Sequence, residues 1–101
     1  MSPRRTKRPE PLPALSAVLG YWQDRPALEA VDTALAADRL GYRELWVGEM
    51  ATFDAFALAA HVGGLTALDL TVGPLAVHVR TPAGMAMGAA SVHALTGRTV
   101  R

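Results

Sequence analysis

The chain has 101 residues, of which 50% are apolar, and its formal net charge is +1. A chain of this length buries roughly 60–65% of its unfolded surface, so one folded domain is expected. The chain has no cysteine, which excludes disulfides, thiolate metal sites and a cysteine nucleophile and favours a cytoplasmic protein, and no apolar run approaches the roughly 20 residues of a membrane-spanning helix.

Residues 1–14 form a basic, proline-rich leader. Its basic residues and the prolines that follow them are Arg4, Arg5, Lys7, Arg8, Pro9, Pro11 and Pro13. We predict that this leader is disordered and solvated, and that residues 15–101 form the folded domain. No apolar stretch follows the basic residues, so a secretion signal is not expected. Neither a nucleic acid nor a membrane is expected as a partner.

Beyond the leader, the apolar pattern first predicts a strand and then a helix. The strand covers residues 15–20, whose uncharged apolar run is typical of a parallel strand buried on both faces. The helix is predicted to begin near Pro26, which suits a first helical position, and to end at Gly41 in a left-handed conformation. Its predicted apolar stripe consists of Leu28, Val31 and Leu35.

A second strand and helix follow with the same organisation. The strand is predicted at residues 44–48, centred on Trp46, and successive apolar residues again indicate burial on both faces. The helix is predicted to begin at Asp54, whose carboxylate can cap its first turn, and Gly63-Gly64 is expected to loosen its last turn. Its predicted stripe consists of Leu58, Val62 and Leu65.

The third strand is predicted at residues 70–77 and contains Gly73-Pro74. Because proline donates no backbone hydrogen bond, a bulge or bend is expected there.

The third helix is predicted to begin at Thr81-Pro82 and to end at Gly97. Gly88 and Ala89 are small enough to let a neighbouring element approach closely. Its predicted apolar face consists of Met85, Val92 and Leu95. Residues 98–101 are expected to begin a fourth strand.

Strands separated by helices of this length predict an α/β fold with right-handed βαβ units and a parallel sheet. Periodicity alone fits either an open doubly wound sheet or an eight-stranded barrel.

Three separated motifs resemble the luciferase-like monooxygenase superfamily, especially its deazaflavin (coenzyme F-420)-dependent oxidoreductases. They are Ala-Asp-Arg-Leu-Gly-Tyr at 37–42, Leu-Trp-Val-Gly-Glu at 45–49, and Val-Gly-Pro-Leu at 72–75, which leads to Arg-Thr-Pro at 80–82 and Ala-Leu-Thr-Gly-Arg at 94–98. The resemblance spans residues 15–101 and implies a partial TIM (β/α)8 barrel with about the first three βα units. A barrel takes about 250 residues. Open sheet edges would therefore favour self-association or pairing with a missing C-terminal part.

The resemblance also implies a reaction, namely hydride transfer between a reduced deazaflavin and an organic substrate. Many relatives have a histidine just after the glutamate that ends the second strand, where this chain has Met50. That difference favours deazaflavin chemistry over oxygen activation with FMN, although FMN stays the alternative cofactor. Relatives hold the cofactor phosphates largely with later loops, so the chain is expected to be a fragment of an oxidoreductase. The alternatives are a non-catalytic remnant, an interaction module or a fragment of an FMN-dependent monooxygenase.

By the same resemblance, the site lies at the carboxyl ends of the strands. Glu49 is the candidate catalytic residue, acting as an acid or orienting a hydrogen bond; its alternative is a solvent-facing carboxylate or one paired with an arginine. The other candidates fall into two groups. The cofactor-binding group is Gly20, Met50, Gly73 and Pro74. The substrate-pocket group is Tyr21, His78 and Arg80.

In relatives a bulge with a cis peptide backs the flavin-type ring at the position of Gly73-Pro74. The alternative is an ordinary trans turn. Tyr21 and the neighbouring Trp22 have packing at the mouth of the barrel as their alternative role.

Other chemistries have no support in the sequence. Gly-x-Gly-x-x-Gly, Gly-Lys-Ser/Thr and Gly-x-Ser-x-Gly motifs are absent, which argues against dinucleotide folds, phosphate-binding loops and serine hydrolases. His61 and His93 lie in predicted helices without metal-ligand spacing, so they are interpreted as structural or surface residues and no metal site is expected.

Overall fold

The computed structural model describes residues 14–19, 28–49 and 53–101. Its elements in chain order are β1 (Ser16–Val18), α1 (Glu29–Arg39), β2 (Glu44–Val47), α2 (Ala55–Leu65), β3 (Asp69–Val72), a short 3-10 helix (Val77–Val79) and α3 (Pro82–Thr96). The strands form a parallel sheet in the order β1-β2-β3. The predicted α/β class and parallel sheet are confirmed. Residues 1–13, which make up almost all of the predicted leader, lie outside the described residues. The same holds for residues 20–27, which include the predicted helix start near Pro26.

A fourth parallel segment follows α3, as the sequence predicts. The Leu70 N–H donates to the Thr99 carbonyl at 2.8 Å, and the Arg101 N–H donates back to the Leu70 carbonyl at 2.8 Å. The Val72 N–H extends this ladder to the Arg101 carbonyl at 2.7 Å, around a parallel bridge between Leu70 and Val100. The described strands therefore continue the same βα repeat.

The core lies between one face of the sheet and the helices. Its buried residues are Leu19, Ala34, Ala37, Leu45, Val47, Ala55, Phe56, Leu58, Ala59, Val62, Leu68, Leu70 and Val92. In β2 the burial alternates, since Leu45 and Val47 are fully buried whereas Trp46 is 39% exposed. The prediction that this strand is buried on both faces is therefore wrong. Within the described residues the helices cover only the face of Leu45 and Val47, and Trp46 points to the opposite, uncovered face.

The uncovered face carries a polar cluster at the start of the strands. The Glu44 carboxylate accepts hydrogen bonds from the Ser16 hydroxyl at 2.8 Å and the Thr71 hydroxyl at 2.6 Å. Arg101 also donates to it, at 2.9 Å. These bonds lower the pKa of Glu44, the one from Thr71 most, and link β1, β2, β3 and the fourth segment.

The predicted helix faces are correct only in part. In α1 the buried residues are Ala34 and Ala37, whereas Leu28 precedes the helix and is 70% exposed. Val31 of the predicted α1 stripe packs against the core, but the most buried positions are Ala34 and Ala37, whose small side chains allow the closest approach to the sheet. Leu65 of α2 and Leu95 of α3 were predicted to be buried but are 49% and 77% exposed.

The helix ends agree with the predictions. Gly41 and Gly97 have φ angles of +86° and +71°, the left-handed conformation expected after α1 and α3. The Asp54 carboxylate caps α2 by accepting from the Ala57 N–H at 2.8 Å. The Thr81 hydroxyl caps α3 by accepting from the Gly84 N–H at 3.0 Å.

Two glycines permit close packing of α2. A Cβ on Gly63 would lie 2.9 Å from Leu70 Cδ1, and a Cβ on Gly88 would lie 2.7 Å from the Phe56 ring. Gly63 thus allows α2 to pack against β3, and the helix continues to Leu65, so the predicted loosening of its last turn is not observed. Gly88 allows α3 to approach α2, as predicted. No helix among the described residues is long and apolar enough to span a membrane.

Candidate active site

The loops after β2 and β3 meet at one edge of the sheet, because parallel strands all end on the same side. We call this side the carboxyl edge; in the described residues it consists of Gly48 and Glu49 after β2 and residues 73–80 after β3. Three of the predicted site residues, Gly20, Tyr21 and Met50, lie outside the described residues.

The chain leaves the regular ladder directly after β3. The strand ends at Val72, so the prediction that it extends to residue 77 is wrong; Gly73-Pro74 ends it, and a 3-10 helix forms at Val77–Val79 instead. The Gly73 N–H still donates to the Val47 carbonyl at 2.9 Å. In a regular parallel ladder the Glu49 N–H would next meet the Gly73 carbonyl.

The Glu49 N–H instead donates to the Pro74 carbonyl, at 3.0 Å, so the β3 side contains one extra residue. This is the bulge predicted for Gly73-Pro74. The peptide bond between these two residues is cis, as the resemblance implied. A Cβ on Gly73 would meet no atom within 4 Å, and Pro74 is exposed, so one side of this bulge is open.

The Glu49 carboxylate is the centre of a hydrogen-bonded cluster at the carboxyl edge. It accepts from the Ala55 N–H at 2.9 Å and from the Ala76 N–H at 2.9 Å. Arg80 binds it in a fork, with Nε 2.8 Å from Oε1 and Nη2 on Oε2. The side chain of Glu49 is 8% exposed. One carboxylate therefore joins its own loop, the first turn of α2 and the loop after β3.

These contacts fix the protonation state of Glu49. The hydrogen bonds from Arg80 lower its pKa most, those from Ala55 and Ala76 lower it further, and burial opposes them; the result is a pKa of about 2. Glu49 is thus an ionised acceptor at neutral pH and cannot donate a proton there. Its geometry matches the alternative of pairing with an arginine, and a direct catalytic role stays a prediction.

The Arg80 side chain contacts groups from α2 and from the loop that precedes it. Besides Glu49, its Nη2 donates to the Asp54 carboxylate, and its guanidinium lies 4.7 Å from the centre of the Phe56 ring. Both carboxylates raise the pKa of Arg80, Glu49 more than Asp54. Its side chain is only 16% exposed. The structure therefore joins Arg80 to the carboxylates of the edge, although the resemblance placed it in a substrate pocket.

Sequence reasoning identified Asp54 only as a helix cap and did not single out Phe56. A signal was present, because Arg80 is the only lysine or arginine between positions 44 and 97, a stretch that also contains Glu44, Glu49, Asp54 and Asp69. A single arginine among four acidic residues is expected to form an ion pair with at least one of them.

His78 lies at the same edge on the 3-10 helix and is exposed. Its neighbours Val77 and Val79 are 66% and 80% exposed. His78 is exposed to solvent and available to a ligand, whereas the side-chain hydrogen bonds to Glu49 come from Arg80. Among the described residues no group of three or more His, Asp or Glu side chains could hold a metal ion.

A parallel βα sheet with a bulged third strand and polar loops at its carboxyl edge defines a class, that of α/β proteins with the site at the strand ends. The model of the luciferase-like monooxygenase family matches residues 11–99. The chain belongs to this family, whose members typically use flavin-type cofactors. Its βα units form part of a luciferase-like barrel. No curated protein and no solved structure matched the chain.

Proposed function

We propose that the chain is the N-terminal part of an oxidoreductase that transfers a hydride between a reduced deazaflavin, coenzyme F-420, and an organic substrate. The observation that carries this proposal is the open bulge at Gly73-Pro74 on the carboxyl edge. In a chain of this family, such a bulge gives a planar ring a flat backbone surface to lie against. Met50, in place of the histidine common in relatives, favours deazaflavin over oxygen-activating FMN chemistry.

The open side of Gly73 fits a flavin-type ring. No atom lies within 4 Å of the Cβ position there, so the backbone can contact a ring directly. Gly73 and Pro74 would support the ring, with Gly20 and Met50 beside it. Tyr21 and His78 would line the substrate pocket. A reduced deazaflavin supplies a hydride from C5 of its ring, and the protein orients the ring and excludes water.

Glu49 and Arg80 hold this surface in place under the proposal. Glu49 binds the Ala76 N–H two residues beyond Pro74 and the Ala55 N–H at the start of α2. Because the carboxylate stays ionised at neutral pH, its contribution to the reaction is to orient hydrogen bonds rather than to donate a proton. Arg80 acts through Glu49 and borders the pocket with its remaining exposed surface.

The test is a titration of the purified chain with reduced F-420 and, separately, with FMN, followed by cofactor absorbance and fluorescence. Saturable binding of F-420 supports the proposal. The matched variants are Gly73→Val and Gly64→Val, since a Cβ at either glycine meets no atom within 4 Å but only Gly73 lies at the bulge. Gly73→Val should weaken binding at least about tenfold, the equivalent of 1.4 kcal/mol, and Gly64→Val should not.

Binding of FMN without F-420 would overturn the deazaflavin assignment and favour the FMN-dependent monooxygenase. Failure of both cofactors to bind would overturn the proposed cofactor site and leave the non-catalytic alternatives.

A further inference from the structure

Trp46 has the largest side chain on the uncovered face of the sheet among the described residues. It is 39% exposed, while its neighbours Leu45 and Val47 are buried on the other face. Trp46 lies in register with Thr71 of β3 and with Val18 of β1, which is 53% exposed. Trp46 and Val18 therefore form an apolar row across the middle of the uncovered face.

The next position on this face, towards the carboxyl edge, is a glycine on both β2 and β3. Side chains alternate along a strand, so Gly48 follows Trp46 on this face and Gly73 follows Thr71. The Gly73 N–H still donates to the Val47 carbonyl at 2.9 Å, so the register holds to this point. A Cβ on Gly73 would meet no atom within 4 Å, which agrees with a position on the open side.

Gly48 and Gly73 together form a strip of bare backbone, which we call the glycine shelf. It begins at the carboxyl edge and ends at the row of Trp46. Two residues of a strand span about 7 Å, so the indole lies about that far below the edge. A flat molecule that lies on the shelf would therefore meet Trp46 at its inner end.

The polar groups beside Trp46 are turned away from the shelf. The Trp46 Nε1–H donates to Glu44 Oε1 at 3.2 Å, towards the start of the strand. The Thr71 hydroxyl donates to the same carboxylate at 2.6 Å, and Ser16 and Arg101 donate to it as well. An indole has one donor and no acceptor, so the exposed part of Trp46 is aromatic carbon. Glu44 thus fixes the indole and uses the donors that surround it.

We infer that Trp46 is the floor of the cofactor site, where its aromatic carbon surface contacts a planar ring that lies on the glycine shelf. This inference rests on the proposed function and adds a residue from inside β2 to the site. Aromatic rings attract each other in offset or edge-to-face contact. Because the indole N–H is bound to Glu44, Trp46 contributes contact area and orientation to the ring rather than a hydrogen bond.

Proton–nitrogen correlation NMR of the full chain, titrated with reduced F-420 and separately with FMN, tests this inference. The chain has two tryptophans, Trp22 and Trp46, so a Trp22→Phe variant identifies the indole N–H signal of Trp46. That signal should shift in step with the Gly73 amide and saturate at the same cofactor concentration. An indole signal that stays in place while the Gly73 amide shifts would overturn the floor and leave the cofactor site standing.

The affinities of two variants separate ring contact from hydrogen bonding. Trp46→Leu should weaken cofactor binding about tenfold, because the aromatic contact is lost. Trp46→Phe should bind within about threefold of wild type, because it keeps an aromatic ring and loses only the bond to Glu44. Leu40→Ala is the matched control, since Leu40 is 72% exposed at the end of α1, and it should bind like wild type.

Circular dichroism and thermal melting establish that each variant is folded. Equal affinity of Trp46→Leu and wild type would overturn the inference while the proposed function stands. Failure of wild type to bind either cofactor would overturn both. If Trp46→Leu does not fold, the indole signal of the wild-type chain decides between these results.

Discussion

At the scale of single residues, Glu49 shows how a carboxylate near a predicted active site can serve structure first. It accepts hydrogen bonds from two backbone amides and a forked guanidinium while being 8% exposed. Each bond favours the ionised form, so the pKa falls to about 2. The same contacts that remove Glu49 as a proton donor make it the link between two loops of the candidate site.

This link predicts an acid-dependent loss of stability. The folded pKa of Glu49, about 2, lies below its ordinary value of 4.5, so its contribution is fully present above pH 4.5 and is lost as the pH falls from 4.5 towards 2. The contribution is on the order of 3 kcal/mol, since one unit of pKa difference corresponds to about 1.4 kcal/mol. Urea unfolding at a series of pH values measures it.

Glu49→Gln is the control for that experiment, because Glu44 also has a lowered pKa and adds to the acid dependence in both proteins. The variant should be less stable at neutral pH and should lose less stability than wild type on acidification. Equal pH dependence in the two proteins would show that Glu49 titrates normally.

Arg80 is predicted to resist replacement by lysine. Lysine keeps the charge but cannot form the fork to both oxygens of Glu49 and also reach Asp54. Arg80→Lys should therefore lower the free energy of unfolding, because hydrogen bonds to charged groups are lost. Chemical unfolding of the pair Arg80→Lys and Arg39→Lys, the latter on the exposed end of α1, isolates the effect of the fork. A loss of similar size in both variants would contradict this role.

At the scale of elements, the alternation of strands and helices along the chain and most helix ends could be predicted from the sequence. Left-handed glycines, a capping aspartate and a capping threonine act locally, so the residues that mark a helix end also cause it. The buried side of α1 could not be predicted in the same way. The larger apolar residues of α1 and the small residues Ala34 and Ala37 lie at different positions around the helix. Which of them faces the sheet most directly depends on how closely the helix packs against it, and Ala34 and Ala37 are the residues that are buried.

The candidate site was predictable in part for a related reason. Proline cannot donate a ladder hydrogen bond, so an interruption of the strand at Gly73-Pro74 could be expected from local chemistry. The pairing of Glu49 with Arg80 joins residues 31 positions apart, and it depends on how both loops fold over the sheet edge. The sequence indicated that Arg80 would pair with an acid, but it did not indicate which acid or in what geometry.

The packing of α3 on α2 predicts opposite effects for two glycine substitutions. A Cβ on Gly88 would collide with the Phe56 ring, including its Cγ atom at 2.8 Å, which cannot move without shifting the side chain. Gly88→Ala should lower the free energy of unfolding by about 1–3 kcal/mol, the usual effect of overpacking. Gly64→Ala meets no atom within 4 Å and should raise it by up to about 1 kcal/mol through helix propensity. Thermal unfolding compares them, and a stabilising Gly88→Ala would contradict the observed contact.

At the scale of the whole molecule, the chain combines two surfaces with different character. The carboxyl edge has charged, hydrogen-bonded loops around an open bulge, as expected for a site that positions a ligand. The helical side includes α2 and α3, neither of which contains Asp, Glu, Lys or Arg. Both arise from the same βα repeat, in which helices pack on one side of a parallel sheet and loops collect at its end.

The central claim, that a flavin-type cofactor lies against the carboxyl edge, is tested most directly by mapping backbone amide chemical shifts during titration with reduced F-420. The amides of Gly48, Gly73 and Ala76 should shift together and saturate at one affinity. The amides of Ser16 and Glu44, at the opposite end of the same strands, should not move. Shifts confined to the opposite end, or no shift at Gly73 and Ala76 at saturating cofactor, would contradict the claim.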